Sequence, residues 1–391
     1  MRETLHIWPP FPIVIMAYDF SRGKDDIYAV LEHNDRIHQL SLSRIPGSQS
    51  ENVLAAMHQQ FQSLTCLELA FQDETAPVGP DLFLGGSAPG LQILSLHRIP
   101  VSGLPKILLS ATHLVSLKLC RIPRSGYISP REMVACLSEL SRLKSLSIGF
   151  ESPQSRPHQN HRRPPSQTLT LPDLSEWEFT GAVDYLEGLV ARINAPLLKK
   201  LEITFFHQLR YETPQLTRFI SLIPKFKTFD DAFVFFSKSS VCITLDSVLE
   251  YRIICGEPSL QLSSLLQVCY SSFPRALISM VRDLYIFYVD EVSQIHWPDD
   301  ESTAWLALFS PFTAVEELYL SRGFLTLIAP TFLELVEDVT GVLPALQALS
   351  LEEILPLESG PVRESVQQFV IARWIAGCPI SVSCWDPEEF L

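Results

Sequence analysis

Few residues of this chain combine the types and spacings that bond-making chemistry needs. Gly85-Gly86-Ser87 opens like a turn that presents a nucleophilic serine, but Ala88-Pro89 follows and the closing glycine falls out of register. His158 and His161 have H-x-x-H spacing, yet their loop holds no cysteine and only Glu151 as a carboxylate. That is too few ligands for a tetrahedral zinc site, so a solvated loop is expected. His296, Asp299, Asp300 and Glu301 gather an imidazole and three acids in front of Ser302, a set that could bind a cation. An N-cap explains them better, because negative charge and a serine suit the start of the helix running to Phe309. No phosphate-binding G-x-x-x-x-G-K-[ST] and no dinucleotide fingerprint occurs. The expectation is a protein with no catalytic residues, no metal and no cofactor.

What remains is the chemistry of recognition. Asp283, Tyr285 and Phe287 alternate along one strand pattern, Glu317 and Tyr319 along the next, and Glu352 closes a third. Aromatic rings flanked by acids are what anchoring patches are made of, and these six are the expected partner-binding residues. A competing reading treats Tyr285 and Tyr319 as a cross-strand pair that only stabilises the sheet.

The elements that place these side chains are copies of one pattern, L-x-x-L-x-L. They are IHQLSL from Ile37, LTCLEL from Leu64, LQILSL from Leu91, LVSLKL from Leu114, LKSLSI from Leu143, LSEWEF from Leu174, LKKLEI from Leu198, VRDLYI from Val281, VEELYL from Val315 and LQALSL from Leu346. Ile37 to Leu64 and Leu64 to Leu91 are each 27 residues, and the next steps lie between 23 and 31. A period in this range marks a leucine-rich repeat. A weaker copy, FKTFDD from Phe226, is followed by a gap of 55 residues to Val281, in which one degenerate repeat is expected, with VCITL from Val241 and LEYRII from Leu249 as candidates. Successive strand residues point to opposite faces, so the leucines face the core while the third, fifth and seventh places face the concave side. In the early copies those places are mostly small and hydroxylic, as in Gln39, Ser41 and Ser43; the aromatic and acidic set comes late. Three copies share a tail, Arg44-Ile45-Pro46, Arg98-Ile99-Pro100 and Arg121-Ile122-Pro123. Isoleucine there holds the place of the usual ladder asparagine, so those turns must close by packing.

Between the strands lie helical patterns with apolar residues at three- and four-residue spacing, from Asp25, Asp184, Pro214, Leu262 and Thr331. The fold class expected is α/β: a leucine-rich-repeat solenoid, or horseshoe, with a parallel sheet on the concave side and helices outside. One domain over 1–391 is expected, with an N-terminal cap at 1–35, about eleven divergent repeats over 36–355 and a C-terminal cap at 356–391. Phe11 to Tyr18 reads as a first capping strand, the helix from Val362 and the strand ISVSCW as the last elements. The Pro/Arg-rich loop 151–167 interrupts the rhythm and is either plain exposed chain or a basic partner or import signal.

A formal charge of −14 over 391 residues disfavours a nucleic-acid or anionic-membrane partner. Eight cysteines without a C-x-x-C fit reduced thiols in a cytoplasmic or nuclear protein. Pro9, Pro10 and Pro12 break the apolar N-terminal stretch, which argues against a signal peptide, and no stretch has the apolar length of a membrane span.

Several longer strings carry a resemblance. The WPP-FPIVI opening, LEHNDRIHQLSL, ESPQSRP-HRRPP, YLEGLVARINAPLLKKLEITFFHQL, TPQLTRFISLIPKF, QLSSLLQVCYSSFP and PFTAVEELYLS together resemble a fungal family, abundant in mushroom-forming basidiomycetes, of F-box proteins with divergent leucine-rich repeats. The resemblance runs over essentially all 391 residues. It implies the substrate-recognition part of a cullin–RING (SCF) ubiquitin ligase subunit, with a ubiquitination substrate held on the concave face. The F-box of that family, with its L-P-x-E-hydrophobic opening, is not visible before Phe11, so docking on the cullin adaptor is expected only with an F-box upstream. The alternative is a stand-alone repeat protein with no ligase link.

Overall fold

The computed structural model describes residues 11–72, 82–100, 103–153, 168–288, 302–336, 341–352 and 360–386. His158, His161, most of the Pro/Arg-rich loop, and His296 to Glu301 lie outside the described residues. The fold is mixed α/β, with a large, mostly parallel sheet of 15 strands and helices between them. The chain divides into two compact units, Met1–Lys199 and Lys200–Leu391.

In the first unit each copy of the pattern becomes a strand. β1 (Ile13–Ala17) is followed by β2 (Ile37–Ile45), β3 (Cys66–Phe71), β4 (Ile93–His97), β5 (Ser116–Ile122) and β6 (Ser145–Phe150). After a short β7 (Leu169–Thr170) come β8 (Glu176–Gly181) and β9 (Ile193–Asn194), β7 and β9 forming a separate two-stranded ribbon. Pairing is parallel and in register with the repeat: Leu67 faces Leu94, Leu94 faces Leu117, and Leu117 faces Leu146. Alternation then turns every fourth- and sixth-place residue to one side, where these leucines are buried. Each contributes about 1.5–3 kcal/mol by leaving water, so the ladder is the main source of cohesion. Helices such as Pro130–Leu137, started by a Ser129/Glu132 capping box, bury their apolar sides.

The Arg-Ile-Pro tails have a conformational reason. Arg44, Arg98 and Arg121 take positive φ values of 52°, 61° and 51°, and the β2–β3 and β5–β6 pairings shift register across the tail. The left-handed residue breaks the alternation and turns the following isoleucine inward, so Ile45, Ile99 and Ile122 are all buried. This is the packed closure expected in place of an asparagine ladder.

The second unit contains β10 (Lys200–Phe206), β11 (Asp231–Phe236), β12 (Ser240–Leu245), β13 (Leu249–Ile254), β14 (Asp283–Tyr288), β15 (Glu317–Leu320), β16 (Ala348–Glu352) and β17 (Ser381–Trp385). Their spatial order is β10-β13-β12-β11-β14-β15-β16-β17. LEYRII, one of the two candidates for a degenerate repeat in the gap before Val281, forms β13, which pairs parallel and in register with β10, Leu201 facing Leu249. VCITL, the other candidate, forms β12, which runs antiparallel to both β11 and β13 and so departs from the parallel ladder. The weak copy also needs rephasing by three residues: Phe229, Ala232 and Val234 are the core positions, since Ala232 pairs with Leu284 and Val234 with Ile286. The turns that reverse the chain are short. Ser237 N–H donates to the Ser240 carbonyl at 2.9 Å, and Asp246 and Ser247 both take positive φ. The helix expected from Thr331 begins earlier, spanning Arg322–Glu334 with Pro330 inside it.

The left-handed tails separate two kinds of arginine. Arg98 donates to the Gln72 carbonyl at 2.7 Å and pairs with Glu151 at 3.6 Å, whereas Arg121 is exposed. Arg121→Gly is expected to leave stability within about 1 kcal/mol of the parent, and Arg121→Val to cost roughly 1–2 kcal/mol, since a β-branched residue resists positive φ. Arg98→Gly should be destabilising despite its relaxed backbone. Urea melts of the three variants check this.

Candidate partner-binding face

The side of the second unit's sheet that points away from the leucine ladder carries a row of aromatic rings. Phe233 on β11 pairs with Tyr285 on β14, which pairs with Tyr319 on β15. The strand spacing sets the ring spacing: Phe233 stacks on Tyr285 at 4.5 Å and 12°, and Tyr285 on Tyr319 at 4.1 Å and 11°. One place along, Phe235 meets Phe287 edge-on at 4.4 Å. Beyond Tyr319 the same row continues as Ser350 and Ser383, whose hydroxyls lie 2.8 Å apart. These small residues leave room for Trp385, which stands edge-on to Tyr319 at 5.5 Å and to Tyr285 at 6.0 Å. Its indole N–H donates to the Leu320 carbonyl at 3.2 Å, which fixes the ring across β16. Each aromatic pair contributes about 0.5–1.5 kcal/mol beyond its buried area.

This packing changes the role of two expected anchors. Tyr285 is 6% exposed and Phe287 3%, so both lie under their neighbours and are not open to a partner. The rings a partner can reach are the half-buried Tyr319, Phe233 and Phe235. Tyr285 is thus sheet packing, while Tyr319 keeps an accessible ring.

Beside the rings runs a row of acids, Asp231, Asp283 and Glu317, in register on β11, β14 and β15. Like charges placed directly opposite are unfavourable on a sheet. The Tyr285 hydroxyl hydrogen-bonds that of Tyr319, which donates to Glu317 Oε2. Asp231 and Asp283 are close enough to share a hydrogen bond when one is protonated. Burial, then the charges of Asp231 and Glu317, push the Asp283 carboxyl up to about 6. Burial and the neighbouring Asp246 and Asp230 raise Asp231 as well. Asp246 is held in place by accepting the backbone N–H groups of Asp230 and Asp231 at 3.1 and 2.9 Å. Glu352 serves a different end: its carboxylate accepts the Arg322 N–H at 2.8 Å, at the start of the helix Arg322–Glu334.

Several other charges on this side of the sheet have partners. Glu68 accepts from Ser41 and Glu178 from Ser147, both at 2.8 Å, Lys200 pairs with Glu202 at 2.5 Å, and Arg252 with Glu250 at 3.0 Å. Among the described residues no lysine or arginine forms an ion pair with Asp231, Asp283 or Glu317.

The features weighed for catalysis do not assemble. Gly85 and Gly86 take positive φ in a short turn ahead of β4, so Ser87 does not sit at a strand-to-helix elbow. No metal-binding group of three or more His, Cys, Asp or Glu occurs among the described residues. All eight cysteines carry free thiols. No helix among the described residues is long and apolar enough to cross a membrane.

Asp231, Phe233, Phe235 and Trp385 belong to the site but were not among the six expected residues. Rephasing the weak copy at Phe229 would have placed the first three beside Asp283, Tyr285 and Phe287. The sequence holds no comparable signal for Trp385, whose reach across two strands depends on serines at 350 and 383. No family model matches this chain, nor does any curated protein or solved structure.

A carboxyl whose folded-state pKa is raised holds its proton to higher pH than in the unfolded chain. It therefore favours the fold at low pH, and that contribution is lost as pH rises through about 6. Asp283→Asn should raise the melting temperature at pH 7.5 and leave it unchanged below about pH 4. The gain at neutral pH, discounted for the solvent that still reaches this group, is on the order of 1 kcal/mol. Scanning calorimetry at the two pH values checks it; a difference independent of pH would contradict the assignment.

Proposed function

We propose that the chain is a protein-interaction scaffold built as a leucine-rich-repeat solenoid, with its partner held against the aromatic and acidic face of the second unit. The observation that carries this reading is the half-buried ring surface of Phe233, Phe235 and Tyr319 beside in-register acids that lack a basic partner. The repeat supports the solenoid, because all ten L-x-x-L-x-L copies form strands and nearly all of these run in parallel with their neighbours. Within that scaffold role, the resemblance to basidiomycete F-box repeat proteins favours a substrate receptor of a cullin–RING ubiquitin ligase, working in the cytoplasm or nucleus. Repeat scaffolds lend themselves to such use, since their stacked strands present one extended surface to a partner.

Truncating a well-packed interface aromatic costs on the order of 2 kcal/mol, about thirty-fold in affinity. A Phe235→Ala, Tyr319→Ala double variant, shown by its melting curve to remain folded, should lose the partners that the parent captures by crosslinking and should bind each recovered partner at least thirty-fold more weakly. An unchanged partner list with unchanged affinities would move the binding surface elsewhere.

A further inference from the structure

The row of acids and the rings beside it describe the chemistry of what binds there. We propose that the occupant is an arginine-bearing segment of a partner protein, its guanidinium set against Asp283 and Glu317 and its apolar neighbours against Tyr319 and Phe235. This rests on the reading of the second unit's face as a docking surface, and specifies the partner.

Charge complementarity decides for a cation. Elsewhere on this side of the sheet, Glu68, Glu178, Glu202 and Glu250 are each answered by a serine, lysine or arginine of the same chain. Here three carboxylates stand on consecutive strands, half-buried, and Asp230 and Glu316 add charge from the flanking positions. The charged groups acting on Asp283 are Asp231 on β11 with Asp230 just before it, and Glu317 on β15 with Glu316 just before it, all acidic. The segment that follows β14 in the sequence, residues 289–301, contains no lysine or arginine to serve as counter-charge.

The aromatic surface beside the acids decides for arginine over lysine. Adjacent strands lie about 4.7–4.9 Å apart, so neighbouring carboxylates in register match the fork of a planar guanidinium, which can donate to both. An ammonium, with three tetrahedral donors, also bridges two such carboxylates, so the choice rests on the flat, weakly hydrated face of the guanidinium. The flat guanidinium also rests well on an aromatic surface, and Tyr319 lies on the same strand as Glu317, its hydroxyl donating to that carboxylate. In the free protein a proton answers part of this charge, because the Asp283 carboxyl titrates near 6 and can share its hydrogen with Asp231. An arriving guanidinium replaces that proton, which leaves to water, so association and protonation compete.

The test uses the full chain and two synthetic probes: a capped eight-residue peptide alternating arginine with leucine and valine, and its twin with citrulline in place of arginine. Calorimetric titration at pH 7.5 should show the arginine peptide binding at least ten-fold more tightly than the citrulline twin, with the advantage falling below three-fold at pH 5. The Asp283→Asn, Glu317→Gln double variant, checked for an intact melting transition, should bind both peptides with the affinity the parent has for the neutral one. Equal binding of the two peptides by the parent, an undiminished arginine preference in the double variant, or no binding of either would overturn the proposal. Tyr319→Ala separates this from the underlying reading. If it weakens both peptides while the parent does not distinguish them, the docking face stands and only the arginine claim falls; if it changes neither, the docking face falls too.

Discussion

Everything in this sheet depends on the two-residue alternation of strands that pair parallel and in register. Because each strand buries its fourth- and sixth-place residues, the next strand must repeat the same phase or expose its leucines. Once the core phase is fixed, the opposite face is fixed as well, and residues at matching places line up strand after strand. Phe233, Tyr285 and Tyr319 stack because of that rule, and Asp231, Asp283 and Glu317 are forced together by it. The aromatic row and the acid row are two consequences of one register.

The two consequences oppose each other energetically. Two stacked pairs and an edge-on tryptophan contribute about 0.5–1.5 kcal/mol each. Like-charged residues directly opposite cost a few tenths to about 1 kcal/mol per pair. The rings therefore offset the acids, and the sheet tolerates a charged lip that on its own would loosen it. Such a lip is neutralised in part by a proton on Asp283 near pH 6.

Most of the frame was legible in the sequence. The ten clear copies of L-x-x-L-x-L all form strands, and the helices from Asp184, Pro214 and Leu262 start within a residue of their expected places, at Val183, Pro214 and Gln261. What failed was the segment where the repeat stops being the governing pattern. Residues 231–254 alternate over three short runs separated by Ser237-Lys238-Ser239 and Asp246-Ser247-Val248, which is hairpin grammar laid into the gap between two clear copies. That insertion sets β11 against β14 and so supplies half of the aromatic row. Burial was the other illegible quantity: spacing places Tyr285, Phe287 and Tyr319 on one face, but only packing shows that Trp385 and the neighbouring rings cover the first two. Glu352 shared a pattern with the other acids, yet its carboxylate was claimed by a helix terminus that no sequence spacing reveals.

The central claim is that a partner lies over this row of rings and acids. Selective carbon-13 labelling of the ten tyrosines, with assignment by single Tyr→Phe substitutions, gives a direct view of it during titration with the arginine peptide at pH 7.5. The ring signals of Tyr319 and of Tyr285 stacked beneath it should move with saturation, while those of the buried Tyr185 and Tyr251 stay in place. Saturable binding that leaves Tyr285 and Tyr319 unmoved would contradict the account.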